Sequence, residues 1–255
     1  MYRIKQNDLK VFKKLQLSPF ELGGKIKLDK TSGVHSSYLT SGKTREIETS
    51  KFPTGILWFH THPSKPFVKE TESIHTKVLD QFKKRKNFTI DILVSPISDD
   101  DLLVVFHSVR VNRMCAMAVF CPEGIYIMYS GKKNGKKQSP SCLKSTEIEI
   151  KTINKPTKIK KRKYPKECSV SEKERAKKFL KERDNYISDE MEVLVDKLKK
   201  GTEKSNISLL KKFQSSIGKR MEKIVKDIFP EVEIHYYSWN SKSIPITPLN
   251  CNLSD

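Results

Sequence analysis

No stretch of the chain approaches the roughly 18 consecutive apolar residues of a membrane-spanning helix, and residues 1–20 hold no apolar run of the signal-peptide kind. Membrane insertion and secretion are not expected, and the expected location is intracellular, cytoplasmic or nuclear. Cysteine is sparse and scattered: Cys115, Cys121, Cys142, Cys168 and Cys251 form no C-x-x-C pair. An odd, dispersed set argues against a disulfide framework and against a cysteine-built zinc site. Cys115 and Cys121 read as small core residues in a reducing compartment. Apolar residues are also scarce, at 36% of 255, below the ~45–50% (Gly included) of an average globular chain. The core must be concentrated in part of the chain.

Acidic residues are outnumbered 50 to 30, leaving a net charge of +20 that invites a nucleic-acid reading. The distribution tempers it. Residues 1–130 carry net +7, residues 131–166 carry +11, and residues 167–255 carry +2. Most of the excess thus belongs to a short connector. Gly131–Lys137 has no apolar residue, and residues 155–166 interleave lysine with two prolines, the composition of an extended, self-repelling linker. A localisation signal or nucleic-acid tether on Lys158–Lys163 is the minority reading of the same segment.

The first 130 residues read as compact α/β. Asn7 is placed to cap a helix carrying Leu9, Phe12 and Leu15. Strand-like runs follow at Gly24–Leu28 and Gly55–His62, the latter stopped by Pro63. Ile74, Val78 and Phe82 recur at helical spacing. Phe88–Val94, Leu102–Val109, Met114–Phe120 and Ile125–Tyr129 are further strand candidates, separated by turn-forming residues. Beyond the basic join, Ser169 or Ser171 can cap a helix to about Tyr186, and Ser188 a second through Lys200. A third helix spans about Asn206 to Phe229, and Val232–Trp239 reads as a short strand or docking tail. The division expected is therefore 1–130, a basic linker 131–166, and a helical region with a tail at 167–255.

Chemistry concentrates at His60-Thr61-His62-Pro63. In an extended strand residues two apart share a face, so both imidazoles point one way, together with Ile56 and Trp58. Two convergent imidazoles are a natural pair of zinc ligands, and the proline ends the strand and is expected to leave the site open at a sheet edge.

This context resembles the JAMM (MPN+) metallopeptidase family, which includes deubiquitinating isopeptidases. Its pattern is an E-x-x-G element, then H-[ST]-H-P, six further residues, and S-x-x-D opening a helix. Glu21-Leu22-Gly23-Gly24 matches the first element and His60–Pro63 the second. The resemblance covers about residues 1–130 and implies an MPN-like mixed sheet flanked by helices. It also implies a hydrolytic zinc site, with His60 and His62 as ligands and Glu21 as the general base toward the attacking water. Counted without a gap, the family's aspartate falls on Ser73, whose neutral hydroxyl is a poor zinc ligand. His75, paired with Glu72 on a helix face, is the substitute chosen here; Glu70 and Glu72 are the carboxylate alternatives.

Two functions compete. One is a zinc-dependent isopeptidase or deubiquitinase-like hydrolase acting on a ubiquitin-like or other isopeptide-linked protein. The other is a catalytically degenerate MPN-like scaffold that enters a larger assembly through its C-terminal helices. Nucleic-acid binding through 131–166 ranks third, for want of a recognition fold.

Overall fold

The computed structural model describes residues 2–18, 20–29, 33–41, 47, 52–63, 94–110, 113–130 and 169–247. The basic linker, the expected helix around Ile74–Phe82 and nearly all of the expected strand Phe88–Val94 lie outside those residues. So do Glu70, Glu72, Ser73 and His75.

The fold is mixed α/β. Strand β1 (Tyr2–Lys5) leads into α1 (Gln6–Gln16), followed by β2 (Leu22–Asp29), β3 (Gly33–Ser41) and β4 (Gly55–Thr61). Helix α2 (Asp99–Arg110) precedes β5 (Met114–Phe120) and β6 (Ile125–Ser130). A long helical hairpin, α3 (Val170–Lys200) and α4 (Glu203–Ile228), is followed by β7 (Val232–Tyr237) and β8 (Ser243–Ile246). The main sheet has the order β3-β2-β4-β5-β6-β7, and β1 pairs with β8 in a separate ribbon. Among the described residues only β4 and β5 run parallel; every other neighbouring pair is antiparallel.

These central parallel strands are buried along their whole length, as expected for nearly continuous apolar runs covered on both faces. Alternation divides the side chains of β4, β5 and β6 between two cores. One face presents Trp58, Met117, Val119, Tyr126 and Met128 to α2, α3 and α4. The other presents Leu57, Phe59, Ala118, Phe120 and Ile127 to α1 and the β1–β8 ribbon. The C-terminal region thus shares a core with the first half. Gly218 of α4 makes room for the ring of Tyr236 on β7, which a Cβ there would overlap.

Four local expectations change. Leu102–Val109, read as a strand, is part of α2. Asp99, Asp100 and Asp101 fill its first turn, where the helix dipole favours negative charge. A short apolar run does not by itself distinguish a strand from a buried helix. Ser188 starts no new helix. No proline or glycine interrupts 170–200, and Phe179, Ile187, Met191, Leu194 and Leu198 form one continuous buried stripe. Ser169 does cap that helix, its hydroxyl accepting from Glu172 N while Glu172 Oε2 accepts from Ser169 N. Asn7 lies inside the first turn of α1; the N–H of Lys5 is satisfied by Asp8 Oδ2 at 2.9 Å. Finally, Cys115 is buried as expected but disulfide-bonded rather than reduced. Cys121 is free and buried.

No helix among the described residues is long and apolar enough to cross a membrane.

Candidate metal centre

The site begins with β4, whose alternation carries His60 and His62 onto the face that also buries Trp58. Both are nearly inaccessible, at 4% and 8% exposure. The backbone of His62 is fixed from two sides: its N–H donates to Phe120 O at 2.8 Å, and its carbonyl accepts from Gln16 Nε2 at 2.9 Å. Gln16 is the last residue of α1 and is itself buried. The same strand end is held on its other edge by Thr61 Oγ1, which accepts from Leu22 N at 2.9 Å.

Asp101, in the first turn of α2, completes the group. Its Oδ1 lies 2.8 Å from His60 Nε2 and its Oδ2 3.3 Å from His62 Nε2, while the two Nε2 atoms are 3.1 Å apart. The three donor atoms all lie within 4.8 Å of one another. Ser98 positions the carboxylate: its N–H and its hydroxyl both donate to Asp101 Oδ2, at 2.6 and 2.9 Å, and its hydroxyl accepts from Asp101 N at 3.2 Å. A serine before the helix and an aspartate three residues later form a capping pair, so one motif both starts α2 and aims the carboxylate at the histidines.

The electrostatics follow from the burial. Removal from water opposes ionisation of Asp101, yet His62 and His60 outweigh it and hold the carboxyl well below the usual range. Burial likewise opposes a charge on His62, but Cys121 and Asp101 reverse the balance and raise its pKa well above the ordinary value. The Cys121 thiol is itself pushed up, by burial and Glu123, so it stays protonated at neutral pH. The charge that favours a cation at His62 is therefore that of Asp101.

Two imidazole nitrogens facing one another beside a buried carboxylate favour a cation between them, whether a proton or a metal ion. Donors about 2.0–2.1 Å from a tetrahedral ion lie about 3.3 Å apart, close to the spacings of this group. His62 Nδ1 lies 2.8 Å from Ser95 O. A carbonyl can only accept, so Nδ1 carries a proton, and in the neutral imidazole the Nε2 lone pair faces the centre. The residues fit a metal ion with three protein ligands. Among the described residues no fourth His, Cys, Asp or Glu joins them.

Glu21 is buried, at 8% exposure, immediately before β2. Gly23, two residues further on, pairs with His60 across β2 and β4. Gly23 is needed for that approach. A Cβ there would come within 2.7 Å of Phe59 O, 2.8 Å of Ile47 Cδ1 and 2.9 Å of His60 Cβ.

Asp101 went unrecognised in the sequence, although its signal is present. Ser98-Asp99-Asp100-Asp101 is an S-x-x-D element, but residues 64–97 separate it from Pro63 where six residues were assumed. Ungapped counting stopped at Ser73, and the expected substitute His75 lies outside the described residues. No protein-family model, curated protein or solved structure matches the chain.

Proposed function

We propose that the protein is a zinc-dependent hydrolase of the JAMM type, acting as an isopeptidase on a ubiquitin-like or other isopeptide-linked protein. The observation that carries this reading is the convergence of His60, His62 and Asp101 in one buried group. Three ligands from the protein leave a fourth position for water or substrate, the arrangement of catalytic rather than structural zinc sites. With Ser98-x-x-Asp101 as the third element, E-x-x-G, H-T-H-P and S-x-x-D are all represented in the chain, the last after an insertion.

When bound, the ion acidifies water and polarises the carbonyl under attack. His60 and His62 would hold it through Nε2 and Asp101 through a carboxylate oxygen. Asp101 supplies negative charge to the site and is kept ionised by its two histidine neighbours. Glu21 is the general base: it takes a proton from the attacking water and delivers one to the leaving amine. Its burial immediately before β2, the strand that pairs with β4 at His60, supports this role.

The scaffold alternative rested on a serine at the third-ligand position, and Asp101 removes that ground. The test is elemental analysis of the purified protein beside hydrolysis of an isopeptide-linked ubiquitin substrate. Stoichiometric zinc is expected, lost in His60→Ala and Asp101→Asn. Glu21→Gln should keep the zinc and lose the hydrolysis. A wild-type protein that takes up no zinc would overturn the reading.

A further inference from the structure

The segment that returns to the site after residues 64–93 has no strand or helix of its own until α2 begins, yet it must be placed well enough to supply two contacts. Ser95 O accepts the His62 Nδ1 proton, and Ser98 aims Asp101. Val94 and Ile97 are buried, and Ile97 O accepts from Arg183 Nη1 at 3.2 Å, but neither contact acts on Ser95 itself. A directional restraint comes from the turn between β5 and β6. Cys121 and Gly124 close that turn by exchanging backbone hydrogen bonds of 2.8 and 3.2 Å. It carries Glu123, a carboxylate with 3% exposure.

Both oxygens of Glu123 are engaged. Oε2 accepts from Ser95 N at 3.0 Å, and Oε1 accepts from Tyr126 OH at 2.8 Å. The backbone of Glu123 is also held, its carbonyl accepting from Tyr236 OH at 2.8 Å. A continuous path therefore runs from Tyr126 through Glu123 to the amide of Ser95, and from the carbonyl of Ser95 to His62 Nδ1. Burying a carboxylate is costly unless its acceptor capacity is used, and here one oxygen takes the Tyr126 hydroxyl and the other a backbone amide of the segment leading into α2. His60 has no comparable restraint: its Nδ1 is buried without a hydrogen-bond partner among the described residues.

We infer that Glu123 is a positioning residue for the metal centre, fixing Ser95 so that His62 keeps its proton on Nδ1 and turns the Nε2 lone pair toward His60 and Asp101. This deepens the metal-site reading and rests on it. Outer partners that orient a ligating histidine commonly change metal affinity by ~10–100-fold when removed. Glu123→Ala removes the acceptor for Ser95 N, whereas Glu123→Gln can keep it by turning its carbonyl to Ser95 and its amide to the tyrosine hydroxyl.

The test uses the full chain and zinc itself. Competition titration should show Glu123→Ala binding zinc about 10-fold or more weakly than wild type, with Glu123→Gln close to wild type. A purely structural role would lower the unfolding midpoint of Glu123→Ala without separating the two variants in zinc affinity, and that result would overturn the inference. Nitrogen NMR of the imidazoles in metal-free wild-type protein, at a pH where His62 is neutral, gives a readout that needs no variant. The Nδ1–H form of His62 is expected, with the Ser95 amide protected from exchange; an Nε2–H form or a freely exchanging Ser95 amide would overturn it. If the wild type bound no zinc, the proposed function would fail, while the imidazole and exchange measurements would still decide the role of Glu123.

Discussion

On one face of β4, Phe59 packs into an aromatic cluster in which Phe12 and Phe120 stack with ring centroids 4.4 Å apart and Phe59 meets Phe12 edge-on at 5.4 Å. On the other face, one residue along, His60 begins a buried polar group whose members are 2.8 to 3.3 Å apart. Both faces exclude water almost completely. The first is stabilised by apolar area and does not depend on a ligand. The second brings two imidazoles and a carboxylate together, an arrangement that a cation beside the carboxylate stabilises. A single strand carries both because its side-chain period is two, so core and site are separable by mutation.

The largest expected change in stability comes from the aromatic face. Phe59→Ala should cost about 3–5 kcal/mol, as large-to-small changes in a packed core do. Denaturant unfolding would measure it, and zinc stoichiometry under native conditions should persist. Loss of metal at temperatures where Phe59→Ala remains folded would mean that the two faces are coupled. Gly23→Ala sharpens the comparison from between the strands. Overpacking typically costs about 1–3 kcal/mol, and the added methyl is aimed partly at His60 Cβ. This variant should lose both stability and zinc affinity, whereas Phe59→Ala loses stability alone.

Ser98→Ala is expected to have a smaller effect, about 1 kcal/mol for a lost helix cap. It should also weaken zinc binding modestly, since Asp101 Oδ2 keeps the donation from Ser98 N but loses that from the hydroxyl.

The smallest and most specific effect is in pH dependence. The depressed folded-state pKa of Asp101 contributes stability above its unfolded value, about 3.9, and this is lost as pH falls through the folded pKa. The raised folded-state pKa of His62 contributes stability that is complete below about 6.5 and is lost as pH rises through the folded pKa. The metal-free protein should therefore gain most from this group between about pH 4 and 6.5. Because metal binding requires neutral imidazoles, zinc should move the optimum toward higher pH. Thermal melts of wild type and Asp101→Asn, with and without zinc, would measure the difference. Identical profiles for the two proteins would remove the electrostatic part of the comparison.

What was legible beforehand followed distance along the chain. His60 and His62 share a face because the strand around them dictates it. β4, β5 and β6 fall on the expected apolar runs, and Ser169 caps its helix as its spacing to Glu172 suggests. The single helix 170–200 was harder to see, because a serine near its middle also has the chemistry of a cap. The apolar run Leu102–Val109 fits either period; the deciding residues, Ser98 and three aspartates, lie just upstream.

The sequence by itself therefore determined the chemistry of the pair: two imidazoles, two residues apart, at the end of an apolar strand. Which residue completes the group was decided by tertiary structure alone. Asp101 reaches Nε2 of both histidines because α2 packs on the same face of the sheet, after an interval of chain whose length no local rule specifies. Strand alternation acts between neighbours and is encoded in composition. The approach of a third ligand depends on where a helix cap docks, and docking is settled by the burial of Val94, Ile97, Leu102 and Val105 against strands distant in sequence.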